Sequence, residues 1–390
     1  MDGRSARLKN SGFLCSIRAM VQAKPGEGVK KRDVIVLPCL LAYCWQSIQL
    51  DNHSRTGRSP TYLVTAIGSF CAEAVISSLR RDPNARVVGV STLPREWSAT
   101  SLMLDAFHRV PPAREVRAYV SRVLEICQLE QVTHVLPLID LEVDAFTPYR
   151  QMFSDQGITL CMAPSETIHV SRDKWLVYEV FREHPAVHPI PTWCMEDQAV
   201  DQLPFPLHAK PRDGRSSEGL ARILGKDDLS YLRKKLRGRP YVVQPLLDGD
   251  VCVVDIVRRR ATGQSAAMAR QELVRTSNGA GVTVRMLNEP TLIDAAAQIA
   301  SALDLDGCIN IEFLVGGSWP LVMDINPRFS GGVGFTHLSG YDMVTNHLRC
   351  FAGEPLDPPI IPTPVIHARR YVETTFAVPE ESVRVQLLAN

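Results

Sequence analysis

The sequence predicts two globular units of different class: an α/β unit over about residues 60–164, built as a small doubly wound parallel sheet, and an α+β unit over residues 165–390. Three observations predict this. From Thr61 to Met162, short apolar runs alternate with amphipathic stretches of helical length, the pattern of a parallel sheet covered by helices on both faces. After Ser165 the apolar runs mostly follow one another, as strands of an antiparallel sheet do. Near the end, two apolar runs flank Gly316-Gly317 and read as a hairpin.

Residues 1–59 fit neither unit. A basic Lys30-Lys31-Arg32 stretch precedes an apolar run from Val34 to Trp45, then polar Gln46 to Arg58. The run contains Pro38 and is about a dozen residues long, short for a membrane span. It starts far from Met1 and lacks a small-residue cleavage site, so it is not read as an export signal. The expectation is a poorly ordered, dispensable extension.

Composition narrows the function classes. Apolar residues make up 45% and charged residues 22% of the 390, ordinary for a soluble enzyme, and the net charge of +1 offers no field for nucleic acid. The ten cysteines include no Cys-x-x-Cys and fall mostly in apolar runs, which reads as buried thiols in a reducing cytoplasm. Neither a membrane nor a nucleic-acid partner is expected.

In the first unit, Tyr62–Ile67 reads as a buried strand ending at Gly68, Cys71–Arg81 as a helix and Arg86–Val90 as a strand. Glu115–Leu129 has helical spacing of its apolar positions. A strand over Thr133–Ile139, a helix from near Asp140 and a strand over Ile158–Met162 complete the unit. Asp140-Leu141-Glu142 is read as capping that helix and placing acid in its first turn. The turn Gly68-Ser69-Phe70-Cys71-Ala72 has one glycine where a dinucleotide fingerprint needs three. Gly219 to Gly225-Lys226 is followed by Asp227 and has the wrong spacing for a P-loop. Nucleotide chemistry, if present, must come from the second unit. There Ser165–His184 reads as one helix with Asp173-Lys174 in its middle. Strands follow at Leu207–Lys210, Ala221–Leu224, Tyr241–Leu247 and Val251–Val257, then a helix at Thr291–Leu303 and the two hairpin strands Ile309–Val315 and Leu321–Ile325.

Four segments of the second unit can carry chemistry. Lys210 closes an apolar strand and precedes a Gly/Ser-rich turn, Arg212 to Gly219, whose backbone N–H groups and low bulk suit a phosphate clamp; a plain hairpin turn with a solvated lysine would read the same. Lys174 sits on the preceding helix. Tyr241–Gly249 is an apolar strand running into a short linker that can edge a flat ring. The fourth is the most specific: Asn310-Ile311-Glu312-Phe313, then Met323-Asp324-Ile325-Asn326-Pro327-Arg328. Residues two apart on a strand share a face, so Asp324 and Asn326 point together, Glu312 can meet them from the partner strand, and Arg328 lies two further on. Three hard oxygen donors suit magnesium, and the guanidinium suits a transferring phosphoryl group. No Ser-His-Asp or Cys-His arrangement emerges, and His337 is open to a substrate contact or to packing.

In this order the four segments resemble the ATP-grasp superfamily, in the branch of the carbamoyl phosphate synthetase large chain and the carboxylate–amine ligases, over roughly residues 60 to 350. The resemblance implies a Rossmann-like domain at 60–164 ahead of a two-lobed ATP-grasp domain at 165–390. It places Lys174, Lys210, Arg215, Ser216, Ser217 and Gly219 on the phosphates of ATP. Gln244, Pro245, Leu247 and Asp250 fall around adenine and ribose, although the family's second acid falls at Val251. Glu312, Asp324 and Asn326 become ligands of magnesium, with manganese as a substitute. Arg328 becomes the group on the transferring phosphoryl, and Arg270 or Arg275 approaches the acyl phosphate or substrate carboxylate. The implied activity couples a small-molecule carboxylate to an amine through an acyl phosphate, releasing ADP and phosphate. A homodimer is the family-level expectation. Three other readings stay open: an ATP-dependent phosphotransferase, a carbamoyl-phosphate-forming enzyme, and a non-catalytic ATP-binding regulator.

Overall fold

The computed structural model describes residues 59–215, 218–277 and 279–377. The expectations for residues 1–58, and those for Ser216 and Ser217, lie outside the described residues.

The first sheet is parallel throughout. Its strands are β1 Thr61–Val64, β2 Arg86–Ser91, β3 Ala106–Arg109, β4 His134–Leu136 and β5 Thr159–Leu160, in the order β3-β2-β1-β4-β5. Strand β1 is buried along its whole length, which is why it reads as a continuous apolar run and not as an alternation. Sequence reasoning missed β3: it is an edge strand, half-buried to exposed, and carries no apolar run. Helices Ala72–Leu79 and Val116–Leu129 cover the sheet with Val75, Ile76, Val120, Val123 and Leu124 turned inward.

The remaining strands are β6 His188–Pro189, β7 Trp193–Cys194, β8 Leu207–Pro211, β9 Ala221–Ile223, β10 Tyr241–Pro245, β11 Asp250–Arg258, β12 Ser265–Arg275, β13 Gly281–Leu287, β14 Gly307–Val315, β15 Leu321–Asn326 and β16 Ile366–Ala368. They form two sheets. One is antiparallel, β7-β10-β8-β9; the other runs β16-β13-β12-β11-β14-β15-β6 and is antiparallel except where β6 joins β15. The small sheet has its own apolar core of Met195, Leu207, Ala209, Leu229, Leu232 and Val243. The large sheet shares a continuous core with the parallel sheet, joining Leu63, Val135 and Phe153 to Val254, Ile299 and Phe313. The small sheet is therefore a separate lobe by packing as well as by strand order.

Two expectations are corrected. Ser165–His184 is not one helix but two, Ser165–Ser171 and Lys174–Phe181. Asp173 breaks it: its carboxylate accepts the N–H groups of Trp175 and Leu176 and so starts the second helix. Asp140 is the first residue of helix Asp140–Phe146, but its side chain makes no cap bond and turns elsewhere. The helices Lys226–Lys235 and Met343–Ala352, and strands β13 and β16, were not read from the sequence. The described cysteines are all free thiols, buried except for half-buried Cys194. No helix among the described residues is long and apolar enough to cross a membrane.

Candidate active site

The hairpin of β14 and β15 sets the geometry. Its register pairs Asn310 with Asn326 and Glu312 with Asp324, so these four side chains share one face of the sheet. That face forms a wall of a cleft of about 600 Å³, whose other walls come from the β1 turn (Gly68 to Cys71), the β4 turn (Leu138 to Leu141), and Lys210 and Arg215 of the small lobe.

Cations and anions alternate across the face. Arg275 Nη2 donates to Glu312 Oε2 at 2.7 Å, and Lys174 Nζ lies 3.4 Å from Asp324 Oδ2. Asn326 Nδ2 donates to Asn310 Oδ1 at 3.1 Å and to Glu312 Oε1 at 3.4 Å. Lys174 also donates to the Gly214 carbonyl at 2.9 Å, and Asp173 takes the Arg212 guanidinium, so the start of the second helix is fastened to the loop after β8. Lys210 is half-buried; desolvation lowers its pKa, only partly offset by the nearby Asp324 carboxylate. Its neighbours are thus the same two carboxylates, Asp324 and Glu312, with Lys174 repelling it. The sequence-predicted residues Lys174, Lys210, Arg215, Arg275, Glu312, Asp324, Asn326 and Arg328 all line this cleft.

The donor set fits a hard divalent cation. Two carboxylates and an amide oxygen on adjacent strands are its ordinary ligands, and the count leaves positions for phosphate oxygens. Among the described residues no group of three or more His, Cys, Asp or Glu is arranged to hold a metal alone.

Arg328 is held by a residue the sequence did not indicate. Its Nη2 donates to Asp140 Oδ2 at 2.8 Å and to Asn326 Oδ1 at 3.2 Å, and its Nη1 to the Phe329 carbonyl at 3.0 Å. The Asp140 side chain is 4% exposed. Burial works against its ionisation, but the charge and hydrogen bond of Arg328 outweigh that and keep its pKa below the usual carboxylate range. Asp140 was read as a helix cap. The signal that would have found it is its place just after strand β4, since ligand sites in parallel sheets lie beyond the carboxyl ends of strands.

Arg270 is fully buried and its guanidinium is occupied on every side. It donates to Asp255 Oδ2 at 2.7 Å, Glu272 Oε1 at 3.1 Å and Ser330 Oγ at 2.9 Å. Gly332 lies against its flat face: a Cβ there would come within 2.6 Å of Nη2. Gly219 has φ +72 and lies against Tyr241 and Pro211, a position that needs glycine on both counts. A smaller cavity beside the cleft is lined by Lys174, Tyr178, Ile190, Gln244, Met323 and Asp324. Gln244 donates to Thr192 Oγ1 at 2.8 Å, and its buried carbonyl oxygen has no hydrogen-bond partner among the described residues. Pro245, Leu247 and Asp250 line neither cavity; Leu247 and Asp250 are exposed. His337 points away from the cleft, onto Arg81 and Asp342.

Comparison with known proteins places this geometry. A family model described as "ATP-grasp in the biosynthetic pathway with Ter operon" matches residues 237–374, and one described as "PylC-like, N-terminal domain" matches residues 71–161. The chain carries an ATP-grasp domain. Among solved structures with the ATP-grasp fold, a biotin carboxylase from Campylobacter jejuni is similar with a TM-score of 0.65 at 15% identity, covering 76% of this chain and 72% of that one. The N5-carboxyaminoimidazole synthetase of Staphylococcus aureus, solved with ADP, is similar with a TM-score of 0.63 at 14% identity, covering 81% and 83%. The carbamoyl phosphate synthase large chain of Streptomyces avermitilis is 23% identical over 235 residues. That match spans 55% of this chain and about a fifth (21%) of the curated relative. The small lobe, the large sheet and the parallel sheet ahead of them are thus the ATP-grasp arrangement.

Proposed function

We propose that this ATP-grasp chain is an ADP-forming ligase that activates a small-molecule carboxylate as an acyl phosphate and couples it to an amine. The observation that carries the reading is the single face of the β14–β15 hairpin, where Glu312, Asp324 and Asn326 converge and Arg328 follows two residues on. ATP enters with adenine toward Gln244 and its phosphates toward Lys174, Lys210 and Arg215. Glu312, Asp324 and Asn326 would hold magnesium, which would supply charge neutralisation at the phosphates. Lys174 and Arg275 already balance two of these carboxylates, so their positive charges are poised to shift onto phosphate oxygens when the nucleotide binds. The substrate carboxylate attacks the terminal phosphorus, and Arg328, aimed by Asp140, stabilises the charge on the transferring group. The cleft walls keep water from the acyl phosphate until the amine arrives.

The relatives' printed names support this class. One solved neighbour holds ADP, and the biotin carboxylase domain of a 2-oxoglutarate carboxylase from Hydrogenobacter thermophilus holds MgADP and bicarbonate. Substituting Asn326 by Ala tests the reading. ADP formation is expected to fall by roughly 100-fold or more while the melting temperature stays near that of the parent. Full activity in N326A would refute the assignment of the metal face.

A further inference from the structure

Beside the phosphate face lies a buried charge cluster that the reaction above does not use. Asp255, Arg270 and Glu272 have side chains 1–2% exposed and carry two negative charges against one positive. Arg270 is satisfied by both carboxylates and Ser330. Glu272 is not satisfied: Oε1 accepts from Arg270 Nε at 3.1 Å, while Oε2 has no hydrogen-bond partner among the described residues. A buried orphan oxygen on a net-negative cluster is costly.

Glu272 is one of the residues that line the cleft, with Oε2 packed against Gly281. Glu272 sits where the β12–β13 register shifts, and such bulges re-aim side chains. Gly281, which pairs with Arg275 on the neighbouring strand, makes the room by its missing Cβ: a methyl there would lie 2.0 Å from Oε2. Both residues line the cleft, together with Arg275 and Gly331. Glu272 also feels the charge of Glu312, which places it within electrostatic range of the phosphoryl-transfer face, and burial raises its pKa above the usual carboxylate value.

Resting on the ligase reading, we propose that Glu272 is the amine-binding and proton-accepting residue of this cleft, and that the nucleophile is a primary amine that arrives as its ammonium cation. Oε2 takes an N–H of the amine and supplies the negative charge that the cation complements. In the coupling step the nitrogen lone pair forms the C–N bond to the acyl carbon. One ammonium proton passes to Oε2 and frees that lone pair; the bridging C–O bond of the acyl phosphate breaks, its electron pair leaves with phosphate, and phosphate takes the second proton that the nitrogen loses. Hydroxylamine, largely neutral at pH 7, needs neither the charge nor the base to trap the acyl phosphate.

The experiment uses the full chain with MgATP and pooled small carboxylates. It measures hydroxamate formed with hydroxylamine and amide formed with methylamine and with pooled amino acids. Relative to the parent, E272Q is expected to lower the ratio of amide to hydroxamate by roughly 100-fold, with the loss also visible as a higher KM for the amine. Should E272Q not fold, G281A gives the second reading, since its methyl displaces the same oxygen; the same selective loss is expected. A parent-like ratio in either folded variant overturns the Glu272 assignment and leaves the ligase reading intact. A parent enzyme that forms neither product with any acid overturns the ligase reading, and this subsite with it.

Discussion

Replacing Asp140 by Asn removes one charge and little volume from the support of Arg328. The wild-type bond is charge-assisted, 2.8 Å long, and joins side chains that are 18% and 4% exposed. Hydrogen bonds to charged groups in such surroundings are worth about 1.5–3 kcal/mol. The Phe329 carbonyl and Asn326 still hold Arg328, so the guanidinium is mis-aimed but not released. If that whole loss falls on the transition state, at about 1.36 kcal/mol per factor of ten, kcat drops roughly 10- to 150-fold. The phosphates are placed on Lys174, Lys210 and Arg215, which D140N leaves in place, so KM for ATP should stay within about twofold. The assay is ADP release by coupled spectrophotometry over a range of ATP, with melting curves run in parallel. A kcat within about twofold of the parent, or a loss appearing only in KM for ATP, would refute the argument that Asp140 aims Arg328.

Other outcomes follow from the same packing. Glu142 is buried and accepts from Thr65, Tyr119 (2.9 Å) and the Leu138 amide (3.4 Å); burial raises its pKa to about 7 in spite of these bonds. The folded state therefore holds a proton that the unfolded chain loses near pH 4.3, so stability falls as pH rises from there to about 7, by ~4 kcal/mol, and is flat above. E142Q has no such loss, and urea midpoints at pH 5 and pH 8.5 should show its stability relative to the parent improving at the higher pH. His347, buried against Phe329 and Phe351, has its pKa lowered to about 4 by desolvation. Its contribution has the opposite sign: stability is lost as pH falls from about 6.5 toward 4, so H347Q should flatten the acid limb of the same curve. G332A places a methyl 2.6 Å from a guanidinium that three partners pin, and should cost about 1–3 kcal/mol by chemical denaturation.

How much was legible depended on how local the signal was. The parallel sheet was readable because β1, β2 and β4 are buried runs separated by helices, whereas the edge strands β3 and β16 carry mixed residues and only pairing defines them. The β14–β15 face was readable because a two-residue period alone brings Asp324 and Asn326 together, and the hairpin turn supplies Glu312. Asp140 was not: it lies 188 residues from Arg328, and its local context is that of an ordinary helix start. Glu272 was hidden for a similar reason, since its meaning depends on a bulge and on Gly281 of the next strand. Leu247 and Asp250 were placed by analogy of spacing, and the chain turns into β11 with both exposed. Arg270, one of two arginines that the sequence offered for the substrate, lines the cleft with its guanidinium bonded to Asp255 and Glu272, partners that only the folded sheet brings to it.

The most direct test of the central claim is phosphate release from MgATP by the purified full chain across pooled small carboxylates, with and without pooled amines. The reading predicts release that requires both an acid and an amine, with one ADP formed per amide. ATP binding without release under any combination, or release that yields a stable phosphorylated product and ignores the amine, would contradict it.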